Sequence, residues 1–131
     1  MTVEDKDRMV AFEKIVQTGV RMEPRYLLLD ILALSSVFED LNRFNKVLDV
    51  IVQEIQSVMS NPDLGDNLNG TLLGVKSVHF YSTYQKPEEP EDMRLAHEHI
   101  NETEVLGFGH RWRPKIGKKS SDFYDRIKAR V

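Results

Sequence analysis

From Val37 onward an apolar side chain returns every three or four residues: Val37, Leu41, Phe44, Leu48, Ile51, Ile55 and Val58 or Met59. Glu39, Arg43, Lys46, Asp49, Gln53 and Gln56 fill the other faces. Only a helix sorts side chains at that interval, so this stretch has one dry stripe and must lie against something else. Asn61-Pro62-Asp63-Leu64-Gly65 closes it, because proline drives the residue before it out of the helical region. The rest of the chain has to supply the surface that covers the stripe.

Ahead of this helix, Met9, Phe12, Val16 and Val20, with Ile15 alongside, form a second stripe at helical spacing. Thr2 is the expected cap, with Glu4 and Asp5 in the opening turn and Gly19 at the end. Tyr26 to Leu34 reads Tyr-Leu-Leu-Leu-Asp-Ile-Leu-Ala-Leu, almost unbroken. Such a run has no period to read. We favour a buried strand ending at Ser35-Ser36, the alternative being a helix that starts back at Pro24. Residues 71–84 alternate, with Val78, Phe80, Ser82 and Tyr84 on one face and Ser77, His79, Tyr81 and Thr83 on the other, the pattern of a strand. Lys86-Pro87-Glu88-Glu89-Pro90-Glu91-Asp92 reads as a solvated loop. A further strand is expected within Arg94 to Trp112, broken by Gly107 and Gly109, and a short amphipathic helix from Ser121 to Val131 presenting Phe123, Tyr124 and Ile127. The expected fold is α+β, a small, mostly antiparallel sheet packed against one long amphipathic helix, plus an N-terminal helix. Residues 1–113 form one domain in this reading, and 114–131 a basic C-terminal extension.

Charge is distributed unevenly along the chain. Residues 84–104 hold 2 basic and 7 acidic side chains, whereas residues 105–131 hold 8 basic and 2 acidic ones. An acidic segment followed directly by a basic one points to electrostatic contact with another macromolecule. The contact candidates are Glu88, Glu89, Glu91 and Asp92 on one side, and Arg111, Arg113, Lys115, Lys118, Lys119, Arg126, Lys128 and Arg130 on the other. Cysteine is absent, which excludes disulfides and thiolate chemistry. The charged N-terminus is unlike a secretory signal, and the apolar run at 26–34 carries Asp30 and is too short to span a bilayer.

Two constellations bear on chemistry. In a strand His97 and His99 share a face, as many two-histidine metal sites require, but a third ligand would have to come from Glu102, His79 or His110. Gly107-Phe108-Gly109-His110-Arg111 resembles a segment of citrate synthases, whose histidine and neighbouring arginine help bind a carboxylate substrate. The likeness covers five residues and stops at Trp112-Arg113-Pro114-Lys115, in a chain much shorter than that family's, so the string reads as a glycine-kinked strand. No serine has elbow glycines, no phosphate loop or dinucleotide fingerprint occurs, and the paired carboxylates lie in the proline loop. The chain is therefore expected to have no catalytic residues, no cofactor and no metal, and to be no enzyme.

From Leu27 onward the order of elements resembles the C-terminal half of the tail-terminator (tail-completion) proteins of tailed bacteriophages. An apolar strand leads into a long helix, Asn61-Pro62-Asp63-Leu64-Gly65-Asp66 makes a turn, and a strand (Leu72 to Tyr84) and a return strand (Ile100 to Trp112) follow. The likeness spans residues 26–112 and departs from the family in having room for only one or two strands between its first two helices. It implies a structural subunit of a viral particle, a homo-oligomeric ring at the head–tail junction that contacts other virion proteins. The implied location is the virion, assembled in the host cytoplasm, or otherwise the cytoplasm, with no membrane partner. Two other readings stay open. One is a nucleic-acid-associated accessory protein that uses the basic tail without sequence specificity. The other is a small metal-binding enzyme that uses His97 and His99.

Overall fold

The computed structural model describes residues 1–82, 90–111 and 123–131. The fold is α+β. Its helices are α1 (Asp5–Val16), α2 (Pro24–Val37), α3 (Leu41–Ser60) and α4 (Phe123–Lys128). Its strands are β1 (Asp66–Asn67), β2 (Val75–Phe80), β3 (Met93–His99) and β4 (Thr103–His110), and they form one antiparallel sheet in the order β1-β2-β3-β4.

α3 follows the periodicity. Phe44, Val47, Leu48, Ile51, Ile55 and Val58 are buried, and Asp40 caps the helix by accepting the Arg43 N–H at 3.1 Å. It begins at Leu41, a few residues after the first member of its stripe, because Phe38 closes the preceding helix. That preceding helix corrects the expectation for residues 26–34, which are helical and not a strand. Pro24 sits in the first turn, where its missing N–H costs nothing. Leu27, Ile31 and Leu34 then face the core at three- and four-residue steps.

α1 also needs correction in detail. Glu4, not Thr2, is its cap residue, and its backbone N–H donates to the Asp7 carboxylate at 2.9 Å. Thr2 bridges to Asp40. The buried face is Ala11 and Ile15, with Phe12 partly covered, while Met9 and Val16 of the expected stripe are exposed.

The single strand expected within residues 94–112 is a hairpin of two strands, β3 and β4, and neither glycine interrupts β4. Pairing runs Leu95↔Phe108 and Ala96↔Gly107, then His97↔Val105, so Leu106 is an extra residue in β4. This bulge lets Val105 and Phe108 join the main core with Phe80, Met93 and Leu95 and with the buried faces of α1, α2 and α3. Leu106 faces the opposite side, in a second cluster with Leu72, Val75, Ala96, Phe123 and Ile127. The chain past residue 113, read as a basic extension, thus contributes in α4 a helix that packs on the sheet's second face.

Among the described residues no helix is long and apolar enough to cross a membrane.

Candidate functional site

The most heavily constrained group of charges surrounds Asp30. A carboxylate inside an apolar helix face needs donors, because an unpaired ion in a dry interior is too costly to keep. Asp30 is 0% exposed and has them from three directions. Arg130 Nη1 and Nη2 donate to its two oxygens at 2.8 and 2.7 Å, the Phe108 N–H donates at 3.0 Å, and Arg126 Nη2 lies 3.9 Å away. Burial pushes the Asp30 carboxyl above the usual carboxylate range, opposed by the hydrogen bond and charge of Arg130, the charge of Arg126 and the Phe108 N–H.

The same arginines reach the outer edge of the sheet. Arg130 Nη1 donates to the Leu106 carbonyl at 3.0 Å and Arg126 Nη2 to the Phe108 carbonyl at 3.4 Å, while the Val105 N–H donates to the Arg21 carbonyl at 2.8 Å. These contacts need α4 to lie close against β4, and the two glycines provide the room. A Cβ on Gly107 would stand 2.5 Å from Ile127 Cδ1, 2.6 Å from Arg130 Nη1 and 3.0 Å from Asp30 Oδ2, and one on Gly109 would strike Arg126 Nη2. Gly-Phe-Gly alternates faces, so Phe108 fills the main core while the glycines admit the arginines. The string that resembles citrate synthase is a helix-docking strip here. His110 beside it is half-buried near the Phe38 ring.

The histidines do not converge. His97 is buried, and its Nε2–H donates to the Leu64 carbonyl at 2.7 Å, while Nδ1 is buried without a hydrogen-bond partner among the described residues. This bond ties β3 to the Asn61–Gly65 turn. There Gly65 takes a φ of 101°, and a side chain would strike the Ser77 carbonyl. Burial holds the His97 imidazole below its ordinary pKa. His99 is exposed at the hairpin end, bonded to Thr103 Oγ1, and His79 faces Tyr124 on the second face of the sheet. Among the described residues no group of three His, Asp or Glu side chains could hold a metal ion. An open groove beside the hairpin is lined by Gly19, Arg21, Met59, His99 and Glu102, and its two opposite charges, Arg21 and Glu102, pair with each other.

Six of the contact candidates, Glu88, Glu89, Arg113, Lys115, Lys118 and Lys119, lie outside the described residues. Of the others, Arg130 (side chain 5% exposed) and Arg126 turn inward as above. Asp92 clamps its own loop, accepting the Ser82 N–H at 2.8 Å and Ser82 Oγ–H at 2.6 Å, and its carbonyl accepts the Arg111 N–H. Glu91 is half-buried, its carbonyl accepting Arg94 Nη1, and Arg111 is half-buried at the end of β4. Lys128 is exposed.

Sequence reasoning missed two features. Asp30 was legible as a lone acid in an apolar run, which predicts a buried partner. The outer face of α2 was hidden in the same run: Leu28, Leu29 and Leu32 are 42%, 54% and 44% exposed, and Met9 and Val16 of α1, which packs on α2, are exposed as well. No family model matches the chain, and no curated protein or solved structure matches it.

Proposed function

We propose that the chain is a non-catalytic assembly subunit, and more specifically a ring-forming structural protein of a viral particle, similar to the tail terminators. The observation that carries the general reading is the gathering of half-exposed leucines on α2 beside Met9 and Val16, an apolar face on a chain whose buried carboxylate and histidine are bonded within the fold. The tail-terminator likeness rests on α3, the turn at Asn61–Gly65 and the antiparallel strands that follow. Its opening strand is a helix in this fold, so the likeness is narrower than the sequence suggested. In the nucleic-acid reading, Arg126 and Arg130 are already committed to Asp30 and the edge of β4, which leaves Lys128 as the exposed basic residue of α4.

The test is the native mass of the purified protein, alone and mixed with neck and tail components of a tailed phage. A defined ring, or incorporation into a larger particle, is expected. A chain that neither forms a ring nor enters any particle overturns the viral reading.

A further inference from the structure

We infer that the exposed face of the α1–α2 hairpin is a two-fold docking surface for a second copy of this chain, with the α2 helices antiparallel and crossing at Leu32. The inference rests on the assembly reading and names the partner for that face.

The face is continuous. Arg8 Nη1 of α1 meets Ser35 Oγ of α2 at 3.3 Å, and this contact fixes which flanks of the two helices adjoin. Val16 follows Arg8 by two four-residue steps, while Leu32 and Leu28 precede Ser35 by three and seven residues. Val16 and Leu28 therefore lie toward one end of the groove and Met9 and Leu32 toward the other, with Leu29 on the outer side. All five are exposed.

Charge and side-chain size then select a second copy over other occupants. Arg25 stands in the first turn of α2 and the exposed Glu39 two residues beyond its last residue, Val37, so the two flank Leu32 at opposite ends of the helix. In an antiparallel pair centred on Leu32, the helix end that carries Arg25 comes level with the end of the other copy that carries Glu39, so opposite charges are brought together on both sides of the two-fold without any further partner. Arg25 is able to serve this contact: its side chain is 84% exposed, and its ion pair with Glu23 runs through Nε at 3.4 Å. Glu39 is exposed. The same register sets Leu28 opposite Ser36, so a large side chain faces a small one on each side of the axis.

Five half-exposed apolar side chains cover on the order of 400 Å² per copy, about half the roughly 800 Å² of a standard interface. The dimer is accordingly weak. A two-fold face is distinct from the head-to-tail contact that closes a ring, so the two together would stack rings in pairs.

The experiment is sedimentation equilibrium of the full chain from about 5 to 500 µM, a range over which a weak dimer assembles. Arg25→Glu, Glu39→Arg, the double charge reversal and Leu32→Glu are compared with the native chain, and circular dichroism confirms that each folds. All of these positions are surface ones, so the fold should survive the substitutions. A concentration-dependent dimer is expected. Leu32→Glu and either single reversal should weaken it by about tenfold or more, and the double reversal should restore it. A native chain that stays monomeric throughout overturns the inference, as does a dimer indifferent to Leu32→Glu or one not restored by the double reversal. A monomer that instead floats with phosphatidylglycerol vesicles, in a manner lost in Leu32→Glu, overturns it in favour of a lipid surface. Failure here leaves particle incorporation untouched, and a dimer that enters no particle refutes the viral reading alone.

Discussion

Replacing Asp30 by alanine should destabilise the protein by about 3 kcal/mol, because it strands charges that the fold has already desolvated. The substitution removes both acceptors of the Arg130 fork and the acceptor of the Phe108 N–H, and leaves Arg126 near an empty, apolar corner. Breaking a buried pair from one side costs roughly 3–5 kcal/mol. The lower end applies here because Arg130 lies beyond the end of α4 and keeps its bond to the Leu106 carbonyl when the carboxylate is removed. Replacing both partners, as in Asp30→Leu with Arg130→Met, should cost less than either single change, since neither ion is then left alone. Urea unfolding measures this directly, provided the slope with denaturant is unchanged across the set. An Asp30→Ala loss under about 1 kcal/mol, or strictly additive single and double changes, would refute the account of Asp30 as the anchor of α4. The pH sign follows from the raised carboxyl. A group that holds its proton more tightly folded than unfolded stabilises most below its unfolded pKa, and that contribution is lost as pH rises through the folded value. Arg130→Ala removes the main opposing influence, so the variant should recover part of its stability in acid, where the native chain recovers less.

Gly107→Ala should cost about 1–3 kcal/mol, because its new methyl meets Ile127 Cδ1, Arg130 Nη1 and Asp30 Oδ2, and Ile127 and Asp30 are fully buried with little room to give way. Gly109→Ala should cost clearly less, since only the flexible end of Arg126 stands in the way. Equal losses in urea unfolding would contradict this docking geometry. His97, whose pKa burial lowers, stabilises fully above the ordinary histidine value of 6.5 and loses that contribution as pH falls through its folded value. His97→Gln should therefore flatten the fall of the urea midpoint between about pH 7 and 5, though incompletely, because burial and the neighbouring Arg94 also lower His79. An unchanged slope would exclude His97 as a source.

What the sequence disclosed depended on whether a residue's two surroundings differ. α3 has a wet side and a dry side, and its boundaries and core face could be read almost residue by residue. The alternation along β2 was equally plain, with Val78 and Phe80 in the main core and Ser77 and His79 toward Tyr124. α2 was unreadable by the same method because it is apolar on both sides, burying Leu27, Ile31 and Leu34 and exposing Leu28, Leu29 and Leu32. Pro24 was the remaining signal, and a continuous apolar run outweighed it. Arg126 and Arg130 of the basic tail were unreadable for a different reason. A linear count of charge cannot see that Arg126 of α4 and Arg130 in the turn just beyond it close on a single carboxylate about a hundred residues earlier.

That closure also bears on how such a chain can meet its partners. An edge strand with free N–H and C=O groups invites another strand, and proteins must block it or use it. β4 is an edge of this sheet, and its outward groups are engaged by the Arg21 carbonyl, Asp30, Arg126 and Arg130. The opposite edge strand, β1, is two residues long, and both of its side chains, Asp66 and Asn67, are polar and exposed. With β4 blocked in this way, strand addition there would first have to displace α4 and separate Asp30 from its arginines. The α1–α2 face asks for no such sacrifice: its leucines are already in water, and covering them gains stability without breaking a bond within the fold. Association through helix side chains is therefore the less costly route, since it leaves Asp30 and its arginines undisturbed.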